Sequence, residues 1–190
     1  MMQPDLHRYN GALWIGVGLL WLATSLWSKR SIRVQSAGSR VLQMLLATPG
    51  FLLVFGYFRF TGLGQQLIPD SAIIAWTGVG LTAAGIAFAV WARLTLGRNW
   101  SGTVTAKQDH VLIRRGPYAI VRHPIYSGGL LALFGTALSL GEVRGFLGLG
   151  LVFAAWWSKL KIEEQFMLEQ FGSEYVRYQR EVKGLIPFVL

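Results

Sequence analysis

Apolar residues gather into five long stretches, at about 11–27, 41–58, 72–92, 125–140 and 145–158. A helix that spans a bilayer needs about 20 apolar residues, within a range of about 17–25. The first three stretches meet that length; the fourth and fifth are shorter and are expected to extend into their flanks. Gly141-Glu142-Val143-Arg144-Gly145 joins the last two tightly and predicts a helical hairpin. Small residues recur inside the stretches: Gly16, Gly18, Gly78, Gly80, Ala84, Gly85, Gly145, Gly148 and Gly150. Their default role is close helix–helix packing in lipid. The pattern predicts an all-α, polytopic membrane bundle of about five transmembrane helices. Residues 1–95 are expected to form the N-terminal spans, and 96–190 a second region with two further spans and cytoplasmic C-terminal helices.

Polar positions support this division. With five spans, one side of the membrane holds residues 28–40, 93–124 and 159–190, with fifteen Lys and Arg; the other side holds three, Arg8, Arg59 and Arg144. That asymmetry follows the positive-inside rule and predicts an outside N-terminus and a cytoplasmic C-terminus. The net charge of +9 is thereby accounted for by topology, and nucleic acid is not an expected partner. The chain is 53% hydrophobic and 14% charged, against about 25% charged for soluble domains. The first stretch ends at Leu26-Trp27 without a small-x-small cleavage site, so it reads as a retained helix rather than a signal peptide. There is no Cys, which excludes disulfides, a thiolate nucleophile and Cys-ligated zinc. No metal site is expected.

Two segments, 93–124 and 159–190, lie outside the predicted spans. In the second, Leu168, Phe171, Tyr175, Tyr178 and Val182 recur at spacings of 3 and 4 and mark a helical apolar stripe. Gly172 reads as a stop and Ser173 as an N-cap, dividing the stripe into two helices. The spans carry no charge between Trp76 and Trp91, or between Ile125 and Leu140. A proton relay or ion pump would normally place ionisable groups there. The chemistry is therefore expected at the cytoplasmic ends.

Two candidate pieces stand out. One runs from His110 to Tyr118 and on through Arg122-His123-Pro124-Ile125-Tyr126. Pro124 suits the first turn of a helix, whose N-terminus favours an anion such as a carboxylate. The plain alternative is that His123 only caps the span and Arg122 anchors it at the headgroups. The other piece is Lys159-Leu-Lys-Ile-Glu163-Glu164. Lys159 and Glu163 share a helix face, with Glu164 about 100° round. Here the plain alternative is a snorkelling lysine beside a solvated turn.

With Leu96-Gly97-Arg98-Asn99-Trp100, Phe171-Gly172-Ser173-Glu174-Tyr175-Val176-Arg177-Tyr178 and Gly184-Leu185-Ile186-Pro187-Phe188, these pieces resemble the isoprenylcysteine carboxyl methyltransferase family and, more broadly, membrane methyltransferases that include phospholipid N-methyltransferases. The resemblance covers about 96–190 in order and spacing. It implies a helical bundle whose cytoplasmic C-terminal half wraps S-adenosylmethionine and releases S-adenosylhomocysteine. By motif, His110, Val111, Leu112 and Ile113 resemble the strip that contacts the donor, as do Tyr118, His123, Pro124, Ile125 and Tyr126. Glu163 resembles the acid that holds the donor's amino group, with Glu164 beside it. Family members carry an Arg four residues before that acid, where this chain has Lys159, which keeps the charge but loses the planar grip on a carboxylate.

The implied reaction is methyl transfer to the carboxylate of an isoprenylcysteine-like or other lipophilic acceptor that enters from the bilayer. Such a carboxylate is ionised near neutral pH and needs no general base. Lys159 and Arg122 are therefore expected to orient it. An amine acceptor on a phospholipid or small amphiphile is the alternative, and would call on His123, Glu163 or Glu164 as base. A scaffold without activity is disfavoured by the retained pieces; a sterol-reductase-like membrane enzyme using a nicotinamide cofactor is a further alternative, for which there is no Gly-rich dinucleotide signature, though such membrane enzymes need not have one. The short, compact chain suits a prokaryotic cytoplasmic membrane.

Overall fold

The computed structural model describes residues 6–25, 31–56, 62–97, 100, 105–107 and 111–187. His110 lies outside them, as do Arg98, Asn99 and Phe188 of the quoted motifs. The described residues form six α-helices: α1 (Leu6–Ser25), α2 (Ala37–Val54), α3 (Ala72–Leu96), α4 (Pro124–Leu140), α5 (Val143–Phe171) and α6 (Ser173–Glu181). The helical class expected from the pattern holds. A short antiparallel ladder joins β1 (Ser31–Val34) to β2 (Thr105–Lys107) in addition.

The predicted fifth span and the segment after it are one helix. α5 runs 29 residues without a break, so Lys159 and Glu163 stand on a rigid continuation of the hairpin. Gly172 stops α5 with φ 50° and also occupies the N-cap position of α6; Ser173, expected as that cap, is the first helical residue and makes no capping bond. Gly141, at φ 71°, ends α4 in the left-handed conformation that glycine adopts without a steric penalty.

Helices α2 and α3 are long and apolar enough to cross a bilayer, while α4 is apolar but has 17 residues. The outer faces of α1, α2 and α3 are bare: Leu22 is 67% exposed, Leu45 68% and Ile73 80%. Apolar exposure on this scale suits a hydrocarbon solvent rather than water.

The bundle is held by close seams between helices. α3 lies along α4, and α2 along α5. A Cβ at Gly85 would come within 2.5 Å of the Gly128 carbonyl, and one at Gly135 within 2.5 Å of the Gly78 carbonyl. Gly50 and Gly148 make the same approach between α2 and α5. Gly16, Gly18, Gly80 and Gly150, expected to pack in the same way, have nothing within 4 Å of a built Cβ. Between the helices, the Trp14 indole donates to Thr136 Oγ1 at 2.9 Å, and Thr136 lies 3.2 Å from Thr82 Oγ1, linking α1, α4 and α3. At one end, the 63–68 loop is pinned to the α4–α5 turn by Leu67 and Ile68 N–H groups donating to the Gly141 carbonyl. The opposite end, where α4 begins and α5 finishes, carries the polar cluster.

The glycine seam makes a direct prediction. Gly85→Val should force α3 and α4 apart, at a cost of about 1–3 kcal/mol for overpacking. That corresponds to a fall of about 2–12 °C in the thermal midpoint of detergent-purified protein. Gly80→Val, on an open face, should leave the midpoint within about 1 °C; equal falls in the two variants would refute the seam.

Candidate functional site

The chain approaches α4 through a short 3-10 helix, Gly116–Ala119, whose Pro117 and Tyr118 are buried. Pro124 then takes the first helical position of α4 and His123 its N-cap. The His123 ring makes no capping bond and is free to turn sideways. This turn is laced to the end of the chain: Arg122 N–H donates to the Lys183 carbonyl at 2.8 Å, and His123 N–H to the Gly184 carbonyl at 3.0 Å. Ser127 Oγ donates to the Leu185 carbonyl at 2.6 Å, and the Tyr178 hydroxyl to the Tyr118 carbonyl at 2.6 Å.

Glu163 and Glu164 are neighbours on α5, but the turn of the helix sends them to different tasks. Glu164 faces α6 and the 122–123 turn. Its Oε1 accepts from Arg122 Nε at 2.8 Å and Nη2 at 2.7 Å, lies 3.0 Å from His123 Nε2, and accepts from the Tyr175 hydroxyl at 3.4 Å. Gln179 Nε2 donates to its Oε2 at 3.0 Å. Arg122 Nη1 reaches on to the Gln179 and Val182 carbonyls. Glu163 faces a cavity instead. The Tyr126 hydroxyl donates to its Oε1 at 2.6 Å, and His123 Nδ1 lies 3.6 Å from its Oε2. His123 therefore sits between the two carboxylates, with its ring stacked on Tyr126 at 5.8 Å.

The cavity, of about 620 Å³, has two unlike ends. At the polar end its wall carries Glu163, His123, Arg122 and Lys159. Lys159 Nζ stands 5.8 Å over the Tyr126 ring. The apolar arm runs between α1, α2 and α3, past Trp14, Val17, Phe51 and Ile86.

Charge in the cluster is strongly biased. Burial disfavours the Glu164 carboxylate, but the hydrogen bond and charge of His123, with the Arg122 guanidinium, outweigh it and bring its pKa down to about 2. Burial likewise opposes ionisation of Glu163; the His123 hydrogen bond, the Lys159 charge and the Tyr126 hydroxyl turn the balance and lower its pKa. For His123, burial works against the cation, yet its bonds to both carboxylates raise its pKa. Burial pushes the Tyr178 phenol up to about 12 and keeps it a neutral donor.

Of the residues expected from sequence, Val111, Leu112, Ile113, Tyr118, Arg122, His123, Ile125, Tyr126, Lys159 and Glu163 all line this one cavity. Pro124 is buried behind it as the helix start. Glu164 is absent from the wall and is committed to Arg122, His123, Tyr175 and Gln179. Sequence reasoning missed the indoles of Trp14, Trp21 and Trp156 that complete the wall, and quoted Trp100 in a motif without giving it a place in the site. The signal of the first three is weak, because a Trp inside an apolar stretch looks the same whether it faces lipid or a cavity.

Comparison with known proteins places the chain among membrane methyltransferases. Residues 73–174 match the family described as phospholipid methyltransferase. A probable protein-S-isoprenylcysteine O-methyltransferase of Oryza sativa subsp. indica is 28% identical over 152 residues, covering 76% of this chain and 80% of the relative. The protein-S-isoprenylcysteine O-methyltransferase of Schizosaccharomyces pombe is 34% identical over 101 residues, covering 52% and 43%. Among solved structures, the eukaryotic intramembrane Ras methyltransferase, an isoprenylcysteine carboxyl methyltransferase, shares the fold with a TM-score of 0.60 at 24% identity, covering 100% of this chain and 70% of that one.

Two stability predictions follow from the cluster. Glu164→Ala leaves a buried guanidinium unpaired, a loss of about 3–5 kcal/mol, so its thermal midpoint should fall well below that of Glu163→Ala; the reverse order would refute the division of roles. The second concerns pH. The Glu164 contribution is complete above its ordinary value of 4.5 and fades as pH falls toward about 2. The His123 contribution is complete below its ordinary 6.5 and fades as pH rises through its raised value. The cluster is therefore strongest between about pH 4.5 and 6.5. Moving from about pH 5.5 to about pH 9 should lower the midpoint of the wild type more than that of His123→Gln. Parallel falls would show that His123 does not carry the effect.

Proposed function

The chain belongs to the phospholipid methyltransferase family, and from that premise we propose that it transfers a methyl group from S-adenosylmethionine to the carboxylate of an isoprenylcysteine-like or other lipophilic acceptor, leaving S-adenosylhomocysteine. The observation that carries this reading is the single cavity with a carboxylate and cations at one end and apolar helix faces at the other. A water-soluble donor and a lipid-borne acceptor need such a space, polar where one reacts and apolar where the other is held.

The residues present fit the donor. Glu163 supplies a lined carboxylate for an ammonium group, and His123 and Tyr126 hold that carboxylate in place. Tyr118 also lines the cavity, and an aromatic ring there suits a sulfonium cation. Val111, Leu112 and Ile113 offer an apolar wall to a flat base. When bound, this donor supplies an electrophilic methyl group and so the difficult part of the chemistry.

The chain's own residues then have to orient the acceptor and exclude water. Lys159, on the same α5 face as Glu163, is the cation assigned to the acceptor carboxylate. Arg122 adds positive charge to that end of the cavity while its nitrogens hold Glu164 and the Val182 carbonyl. No proton needs to leave a carboxylate acceptor, and this favours it over an amine. An amine would have to be deprotonated, but His123 is held toward its cation by two carboxylates and is a poor base. We assign the same orientation as the charge asymmetry implies, with the polar end cytoplasmic and the N-terminus outside, and extend membrane spanning to α1, α4 and the first part of α5.

Calorimetry on detergent-purified protein should show micromolar binding of S-adenosylmethionine or S-adenosylhomocysteine; no binding would overturn the enzyme reading. Glu163→Ala should weaken that binding about 10–100-fold, as expected for a lost charged hydrogen bond. Lys159→Ala should raise acceptor KM more than donor KM, and the opposite pattern would remove Lys159 from the acceptor. A tritiated-methyl transfer screen over prenylcysteine analogues, fatty acids and phospholipid amines distinguishes the acceptors. Label on the amines alone would reject the carboxylate.

A further inference from the structure

Arg93 closes α3 and takes no part in the chemistry above. It is 2% exposed. Its Nη2 donates to the Thr24 carbonyl at 2.6 Å, in the last turn of α1, and its Nη1 donates to the Gly97 carbonyl at 2.9 Å, just past α3. One cation thus answers two helix C-termini, where unpaired carbonyls favour positive charge. Among the described residues no carboxylate pairs with it, and its Nε is buried without a partner. A charge held this way carries a desolvation cost.

The Arg93 guanidinium carbon lies over the Trp100 ring, 4.3 Å from its centroid. Trp100 in turn meets Trp21 edge-on, with centroids 6.5 Å apart. Both indoles line the cavity, Trp21 from α1 and Trp100 from beyond the end of α3, and the same two helices carry Trp14, Val17 and Ile86 of the apolar arm. Arg93 itself does not reach the cavity wall. It ties together the two helices that carry that arm and backs one of its two indoles.

We infer that Arg93 is a positioning residue for the methyl acceptor, fixing the Trp21–Trp100 wall against which the acceptor's apolar chain lies. The inference rests on the acceptor being lipophilic, as proposed above. It assigns acceptor recognition to a residue outside the cavity wall. Lysine cannot replace it: an ammonium keeps the charge but neither stacks flat on an indole nor reaches two carbonyls in a fixed fork.

The test measures equilibrium binding of tritiated N-acetyl-S-farnesylcysteine to detergent-purified protein, beside calorimetry with S-adenosylhomocysteine and a thermal melt. Arg93→Lys should weaken the farnesyl probe about tenfold, a change of about 1.4 kcal/mol, while S-adenosylhomocysteine affinity stays within about twofold. Trp100→Leu, which leaves the tie between α1 and α3 intact, should weaken the probe to a similar extent. The double variant should be no worse than either single one, because both remove the same wall. Wild-type affinity for the probe in Arg93→Lys, or proportional loss of both ligands, would overturn the inference and leave Arg93 a purely structural tie. Additive losses in the double variant would overturn it as well. Wild-type protein that binds the probe without methylating any acceptor would defeat the methyl-transfer reading and leave this inference standing. Wild-type protein that binds no farnesyl probe would overturn this inference whether or not it methylates another acceptor.

Discussion

The Glu164 carboxylate gathers α5, α6 and the turn before α4 onto one buried anion. It accepts from Arg122, Tyr175 and Gln179 and lies against the His123 ring. Burying a carboxylate is costly unless its lone pairs are filled and its charge is balanced. Here both conditions are met by side chains from α6 and from the turn before α4, so neither can drift from α5 without uncovering the charge. The backbone bonds from Arg122 and His123 to Lys183 and Gly184 close the same knot from the other side. Arg122, His123 and Tyr175 of that knot also line the cavity.

This explains how adjacent residues of one type come to do different work. Glu163 and Glu164 differ by one step on a helix, yet one is filled by the protein and the other is turned to the cavity. His123 couples them: its two ring nitrogens face the two acids, whose charges and hydrogen bonds favour its cation and raise its pKa. A site built in this way can attract and orient ions, and it is poorly built for acid–base work. This suits the proposed reaction, in which the donor supplies the reactive group and the site supplies alignment.

Much of this was legible in the sequence, for identifiable reasons. Apolar stretches long enough to span a bilayer located the helices, and His123-Pro124 marked the start of α4 because proline fits a first turn. The four-residue spacing of Lys159 and Glu163 put both on one face, and both line the cavity. What stayed hidden depended on tertiary contact. Nothing in the pair Glu163-Glu164 says which one faces α6. The continuity of α5 through Lys159 was obscured because its composition turns from apolar to charged while its backbone does not change. The β1–β2 ladder is too short to carry a periodic signal. Arg93 read as one more basic residue at a membrane boundary, and its tie to Thr24 spans 69 positions of the chain.

The glycine seams bear on how such a protein can change over generations. Along α3 and α4, backbone rests on backbone, and almost any larger residue at Gly85, Gly128 or Gly135 would collide with main-chain atoms. Gly129, beside the cavity, is closed off by the Trp156 ring, where a Cβ would come within 2.7 Å. Gly18 lies on the same cavity from the α1 side, and a Cβ there meets nothing within 4 Å. The bundle therefore has one frozen half and one adjustable half. A lineage that needed to accommodate a bulkier or slimmer lipid would find its room for variation on α1, far from the charged knot, and could alter what it accepts while leaving untouched the part that reacts.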